Sequence, residues 1–155
     1  MKLNIMGENG QKISGFRNIS SYHTEDASIE VCSLKDLNPI VDDAEAQYIL
    51  ARDIINYINQ EELFATISHW ISKLSHGGVI CIGASDIKEV CRMIYTGEIS
   101  DPDIGSVLYG EGEGEVLKKS SIQTELLVDF LQSRGLKILK VRLENYNLTV
   151  EAQRQ

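Results

Sequence analysis

The residues best suited to chemistry follow two apolar runs. The run at 2–6 leads into Gly7, Glu8, Asn9 and Gly10. Glycine lacks a side chain and tolerates positive φ, so this stretch predicts a turn whose backbone approaches a ligand closely. A β-turn without a ligand is the alternative. Arg52 and Asp53 follow the second run, 46–51. Asp53 is a candidate to contact a ligand, and a plain helix start near the positive end of the helix dipole is the alternative.

The histidines and cysteines are scattered along the chain. The three histidines are His23, His69 and His76. Only His23 stands close to an expected ligand-binding edge, so His23 and Asp53 are the candidate catalytic residues. The three cysteines are Cys32, Cys81 and Cys91. Neither set has the spacing of metal ligands or of a redox pair, so we expect no metal site and reduced, mainly buried thiols.

Composition excludes several classes of function. The formal net charge is -8, and the 15 basic residues form no cluster. Nucleic-acid binding needs lysine and arginine against phosphates, so no nucleic-acid partner is favoured. No apolar run approaches the ~20 residues of a membrane span, and Met1 to Met6 is too short and too weakly charged for a signal peptide, so we expect neither. With 155 residues, we expect one cytoplasmic domain over 1–155 and no membrane partner.

Strand-like and helix-like patterns alternate, which is typical of an α/β domain. Seven strands are predicted at 2–6, 16–20, 29–33, 46–51, 78–83, 136–143 and 148–152. Capping boxes predict a helix after Asn59, ended by Gly77-Gly78, and a second after Asp86. The second carries an apolar stripe that includes Cys91. A third helix is predicted from a cap at Ser121, and a short one over 52–58. The turn at 144–147 predicts that the last two strands are antiparallel.

In the order of its strands and helices and in its short sequence motifs, the chain resembles the class I S-adenosylmethionine-dependent methyltransferases of the type-11 kind. It is short, and its motifs are degenerate. The resemblance covers nearly the whole chain. It rests on the glycine turn at 7–10, on Gly15-Phe16-Arg17-Asn18-Ile19-Ser20 and on Lys73-Leu74-Ser75-His76-Gly77-Gly78. The C-terminal Val150-Glu151-Ala152-Gln153-Arg154 completes it. It implies a three-layer Rossmann-like methyltransferase fold, with a mostly parallel seven-stranded sheet and an antiparallel C-terminal strand.

The resemblance also implies a cofactor, S-adenosylmethionine, and residues to bind it. They are Gly7, Glu8, Asn9, Gly10, Ser20, Ser33, Leu34 and Arg52. Ser20 stands where relatives place an acidic residue that binds both ribose hydroxyls, and Asn56-Tyr57 replaces a glutamate–histidine pair. The implied activity is methyl transfer to a small molecule, sugar or glycan. The substitutions leave open a non-catalytic protein of the same fold that acts as a binding or scaffold subunit.

Two further expectations concern the surroundings of the site. The segment 101–119, with Tyr109-Gly110-Glu111-Gly112-Glu113-Gly114-Glu115, is predicted to be a long loop that relatives use as a substrate lid. Between the first two strands, residues 7–15 leave no room for the family's long first helix. Without that helix, little protein would lie beneath the cofactor. We therefore expect a second subunit to complete the site, in a homo-oligomer.

Overall fold

The computed structural model describes residues 1–111 and 117–155. The strands are β1 Lys2–Met6, β2 Arg17–Ser20, β3 Ile29–Val31, β4 Ala46–Ala51, β5 Leu74–Ser85, β6 Leu136–Glu144 and β7 Asn147–Arg154. The helices are α1 Leu63–Lys73, α2 Ile87–Tyr95, α3 Asp101–Tyr109 and α4 Thr124–Ser133, and a 3₁₀ turn covers Ile55–Tyr57.

All seven strands form one sheet, in the order β3-β2-β1-β4-β5-β7-β6. The pairs among β1 to β5 are parallel, and β7 is antiparallel to both β5 and β6. Since β6 pairs antiparallel to β7, it runs in the same direction as β5. The predicted mostly parallel sheet with one antiparallel C-terminal strand is therefore confirmed.

The main hydrophobic core lies on one face of the sheet. Alternate residues of the central strands point into it, for example Leu3 and Ile5 of β1, which are buried. Helix α1 contributes Trp70 and helix α4 contributes Leu127 and Leu131 to the same cluster. The indole Nε1 of Trp70 donates to the carbonyl oxygen of Leu34 at 2.8 Å, so the largest buried side chain also has its polar atom satisfied.

The opposite face over β1 and β2 is covered by the loop 7–16, since no helix separates these strands. Asn4 and Asn18 are register partners and both are buried. Asn4 Nδ2 donates to Asn18 Oδ1 at 2.8 Å and to the Gln11 carbonyl at 3.0 Å, and Asn18 Oδ1 also accepts from Ile13 N at 2.9 Å. The amides thereby fix the loop to the middle of the sheet.

Several predicted boundaries are wrong. The first half of the predicted loop 101–119 is helix α3, because Pro102 in its first turn and acidic Asp101 and Asp103 favour a helix start. The predicted residues 112–115 lie outside the described residues. The expected helix over 52–58 is only a 3₁₀ turn.

The predictions also misplaced the end of α1 and the start of α4. Helix α1 begins at Leu63 without a side-chain cap and ends at Lys73. Gly78 lies instead inside β5, where an added Cβ would come within 2.8 Å of the Ala46 carbonyl oxygen. The third predicted helix begins at Thr124 and not after Ser121, because Ile122 bridges to Asp86 in an extended conformation.

The predicted cap of α2 is confirmed. Asp86 precedes the helix in an extended conformation, and its side chain accepts from Glu89 N at 3.0 Å. Val90 and Met93 form the buried stripe of this helix, whereas Cys91, predicted to belong to it, is exposed. Helices α2 and α3 share a small apolar cluster of their own, against which Tyr146 of the β6–β7 turn packs.

Candidate functional site

A cavity of about 810 Å³ opens at the carboxyl ends of β1 and β4. Ligands of open α/β sheets bind at this edge of the strands. The glycine turn forms one wall, and α3 with the chain at 117–118 faces it from the other side. The lining residues are Asn4, Ile5, Met6, Gly7, Glu8, Asn9, Gly10, Gln11, Lys12, Ile13, Tyr22, Leu50, Arg52, Asp53, Tyr57, Ser106, Val107, Gly110, Glu111, Lys118 and Tyr146.

The glycine turn closes with a hydrogen bond from Gly10 N to the Gly7 carbonyl at 3.0 Å, so it is a β-turn and also a cavity wall. Its two glycines differ in their surroundings. A Cβ on Gly10 would lie 2.7 Å from the Cβ of Met6, which packing forbids. A Cβ on Gly7 would meet nothing nearer than 3.8 Å. Gly10 is therefore required by the fold, and the absence of a side chain at Gly7 leaves room for a ligand.

Arg52 and Asp53 follow β4 directly and place opposite charges next to each other on the cavity. Asp53 has a φ of 53°, in the left-handed region that non-glycine residues seldom adopt. Its backbone N–H donates to the Gly83 carbonyl at 3.1 Å, which holds the chain in that conformation. The Arg52 Cα packs against Gly83, where an added Cβ would lie 3.5 Å away. The end of β5 therefore fixes the backbone that carries both charges.

Two further titratable groups line the cavity: Lys118, which the sequence did not indicate, and Tyr57 of the 3₁₀ turn after β4. Lys118 Nζ donates to the Val107 carbonyl at 2.9 Å and to Ser85 Oγ at 3.2 Å. Burial lowers the pKa of Lys118, although the nearby charge of Asp53 opposes the change. Burial raises the pKa of Tyr57, as do the charges of Asp53 and Glu111. A lysine whose pKa is lowered gives up its proton more readily than a solvated lysine does, so Lys118 is a candidate acid–base group of the cavity.

Asn56, whose place relatives fill with an acid, instead organises the backbone behind the cavity. It is buried, and its Oδ1 accepts from Ser85 N at 3.0 Å. Its Nδ2 donates to the Ser120 carbonyl at 3.2 Å, and its own carbonyl accepts from Lys119 N at 2.7 Å. One residue thus joins the 3₁₀ turn after β4, the end of β5 and the chain that carries Lys118.

The structure brings six of the ten candidate residues together. Those lining the cavity are Gly7, Glu8, Asn9, Gly10, Arg52 and Asp53. Those outside its lining are Ser20, His23, Ser33 and Leu34. Their roles toward a ligand stay predictions.

Of the four candidates outside the lining, three make contacts within the fold and the fourth lies exposed on a loop. Ser20 is buried, and its Oγ accepts from Tyr22 N at 3.1 Å. Ser33 is exposed, and its Oγ accepts from Lys35 N at 3.3 Å. Leu34 belongs to the core beneath Trp70. His23 is exposed on the loop after β2. Proximity in sequence to a strand end did not suffice to predict proximity to the cavity.

Residues 1–111 and 117–155 contain neither a metal site nor a membrane-spanning helix. No three histidine, cysteine or acidic side chains there group closely enough to hold a metal ion. None of the helices in that part of the chain combines the length and apolar character needed to cross a bilayer. His69, one of the scattered histidines, accepts from Leu37 N at 2.8 Å through Nε2, and burial lowers its pKa.

No family model and no curated protein sequence matches the chain. Solved structures match it in fold. A SAM-dependent methyltransferase of Archaeoglobus fulgidus aligns with a TM-score of 0.58 and 11% identity, covering 81% of this chain and 67% of its own. The 1,6-didemethyltoxoflavin-N1-methyltransferase of Burkholderia thailandensis, solved with its substrate and S-adenosylhomocysteine, gives 0.58 and 10%, covering 91% and 62%.

A third similar structure is the magnesium protoporphyrin IX methyltransferase of Synechocystis PCC 6803 with bound S-adenosylhomocysteine. It aligns with a TM-score of 0.56 and 15% identity, covering 82% of this chain and 51% of its own. The chain therefore spans between half and two thirds of the length of these three proteins. With the sheet order and the position of the cavity, the comparisons establish that the chain has the fold of the class I S-adenosylmethionine-dependent methyltransferases.

Proposed function

We propose that the chain binds S-adenosylmethionine in the cavity at the glycine turn and transfers a methyl group to a small molecule, sugar or glycan. The position of the cavity carries this proposal, because it lies at the ligand-binding edge of a methyltransferase sheet. Met6, which is buried, and Glu8, which is exposed, both line the cavity, and about 810 Å³ of space remains beside them. When bound, the cofactor supplies a methyl group activated on a sulfonium.

The residues present fit the amino-acid end of this cofactor. Arg52 offers donors to a carboxylate, and Asp53 offers acceptors to an ammonium group. Gly7 permits close approach of the backbone, because its missing side chain leaves free space. The volume of about 810 Å³ lies within the roughly 300–1,000 Å³ of sites for small ligands. In this proposal the chain acts by positioning the two reactants, with no covalent intermediate on the protein.

A second candidate function is a non-catalytic subunit that keeps the fold. One observation favours it: the end of β2 offers no carboxylate for the ribose hydroxyls. Ser20 is the residue there, and its Oγ already accepts from Tyr22 N. A neutral hydroxyl binds a diol less strongly than a carboxylate does.

Calorimetric titration separates the two candidates. S-adenosylmethionine and S-adenosylhomocysteine should each release or absorb heat and raise the melting temperature of the chain, because a ligand of the native state stabilises it. Absence of both signals at millimolar ligand would leave the non-catalytic function in place and overturn the enzymatic one.

Variants then test the location of the site. Gly7→Val and Arg52→Met should each weaken binding while the melting temperature without ligand stays near that of the wild type. Arg142→Met removes an arginine from the distant strand β6 and serves as the matched control. Unchanged affinity in both cavity variants would show that the cofactor binds elsewhere.

We keep the homo-oligomer as part of the proposal. The loop 7–16 gives the cavity a thinner wall than a helix would, and a second subunit would thicken it. Light scattering at high protein concentration should then give more than the mass of one chain, and a monomer would exclude this arrangement.

A further inference from the structure

The two edges of the sheet differ in length. At one edge, β3 has three residues, and at the other, β6 has nine. Strand β6 pairs with β7 on one side only, so its other side presents backbone N–H and C=O groups without a strand partner. Proteins commonly blunt such edges by keeping them very short, and a long edge strand is a template for another strand. The β3 edge is blunted in this way, whereas β6 is long and regular in its pairing from Lys140 to Glu144, after a register shift between Ile138 and Lys140.

Exposed apolar side chains concentrate at the β6 edge. Leu139, Val141 and Leu143 are 45–46% exposed, and Leu126 of the adjoining helix α4 is 48% exposed. They are four of the seven exposed large apolar residues in residues 1–111 and 117–155. Val141 and Leu143 lie opposite Val150 and Leu148 of β7, which belong to the core. The hydrophobic core therefore extends to β6, where its last apolar side chains are partly exposed to solvent.

The other face of β6 is mainly basic. Lys137, Lys140 and Arg142 lie there, followed by Glu144 at the end of the strand, and Lys140 is the register partner of Glu151. Within the described residues none of these three cations forms a salt bridge. The strand thus carries an apolar row on one face and an unpaired cationic row on the other, in a chain whose net charge is -8.

We propose that β6 binds, as an eighth strand, an extended segment of another protein in which acidic residues alternate with apolar ones. Side chains of a strand alternate between the two faces of a sheet. Every second residue of the segment would extend the row of Val141 and Leu143, and those between would place carboxylates against Lys140 and Arg142. Opposite charges on directly opposed residues stabilise strand pairs, whereas like charges destabilise them. Three of the four residues in this row are cations, so the row complements an acidic segment better than a second copy of β6, which would bring the same three cations.

Fluorescence anisotropy with a labelled peptide of alternating valine and glutamate, nine residues long to match β6, tests the proposal. The peptide should bind, and its affinity should fall as salt is added, since surface charges are screened. The same peptide with alternate backbone amides methylated keeps every side chain but cannot form the strand ladder, so it should not bind. Equal binding of the methylated peptide would overturn the proposal.

Matched variants identify the edge. Val141 on β6 and Val31 on β3 are 45% and 50% exposed, so Val141→Lys and Val31→Lys make the same change on the two edge strands. Only Val141→Lys should abolish binding. Lys140→Glu should weaken binding of the acidic peptide about fivefold and favour a lysine-containing peptide instead. Loss with Val31→Lys alone, or no binding to the wild type, would overturn the proposal.

Sedimentation of the chain without peptide tests whether a second copy of the chain occupies the β6 edge instead. The proposal expects that Val141→Lys leaves the mass in solution unchanged. A dimer of the wild type that Val141→Lys dissociates would show that a second copy occupies the edge, and the proposal would be wrong.

Discussion

Asp86 accepts hydrogen bonds from both the backbone N and the Oγ1 of Thr124, at 2.8 and 2.5 Å, although 38 residues separate them. Its other oxygen accepts from Glu89 N at 3.0 Å. One buried carboxylate therefore caps α2 and satisfies the start of α4. Because α4 packs on β6 and β7, this contact couples the end of the parallel strands to the antiparallel edge.

Asp86→Ala should lower the free energy of unfolding by roughly 2–4 kcal/mol, because it removes the caps of two helices at a buried position. Urea denaturation monitored by circular dichroism measures the change. Thr124→Val, which removes only the hydroxyl contact, should cost less than half as much. A loss of equal size in the two variants would contradict the double role of Asp86.

Acid should weaken the protein through the same residue. Burial acts to raise the pKa of Asp86, but hydrogen bonds from Thr124 and from the backbone outweigh it, so the pKa is lowered. A carboxylate with a lowered pKa stabilises the fold above its ordinary pKa of about 4, and that contribution is lost as pH falls further. Urea denaturation across this range should show a shallower pH dependence for Asp86→Asn than for the wild type.

The two glycines of the turn should respond differently to the same change. Gly10→Ala should destabilise the fold, since the new Cβ would lie 2.7 Å from that of Met6. Gly7→Ala should leave the melting temperature within a few degrees of the wild type. Differential scanning fluorimetry gives both values, and the opposite ranking would show that the turn is packed differently.

Lys73 provides a test of a buried charge. Its side chain is 1% exposed, and its Nζ donates to Asp43 Oδ1 at 2.6 Å and to Asn38 Oδ1. Asp43→Ala leaves a buried ammonium without its counter-ion, whereas Lys73→Met leaves an exposed carboxylate that water can solvate. The melting temperature should therefore fall further in Asp43→Ala than in Lys73→Met. Lys73→Met falling further would assign the stabilisation to packing or to Asn38.

Lys118 should make the stability of the protein rise at alkaline pH. Its lowered pKa means that the unfolded chain binds more protons than the folded one between the folded value and the ordinary value of about 10.4. Stability rises with pH wherever that holds. Chemical denaturation from neutral to alkaline pH should show a smaller rise for Lys118→Met, and an unchanged slope would contradict the burial of a charged amine.

The periodicity of the chain predicted the strands well, because a buried strand has a pattern of apolar residues within its own short stretch of sequence. Leu3 and Ile5 alternate with polar partners, and the run at 78–83 is apolar throughout. The helix α3 escaped prediction because the glycines after it dominated the composition of the segment, although Pro102 is a recognised start signal. The ends of α1 and α4 depended on tertiary contacts of Gly78 and Ile122, which no local pattern contains.

The sequence predicted only those parts of the candidate site that directly follow adjacent parallel strands. The glycine turn and Arg52-Asp53 follow adjacent parallel strands, so their meeting at one edge follows from the topology. Lys118 reaches the cavity because Asn56 holds the chain beside it, more than 60 residues away in sequence. Ser20 also stands at a strand end but does not line the cavity, since its Oγ accepts from the backbone of its own loop, and its role toward a ligand stays a prediction.

The pair Asn4 and Asn18 has a consequence for how the cavity can open. A wall made of a helix can tilt outward as a unit and leave the sheet intact. Here the wall is tied to two side chains that stand within β1 and β2, so moving it outward breaks hydrogen bonds at the centre of the sheet and not at its rim. Displacing the glycine turn would therefore cost amide hydrogen bonds that are buried in the sheet, so this boundary of the cavity is anchored to the interior of the protein.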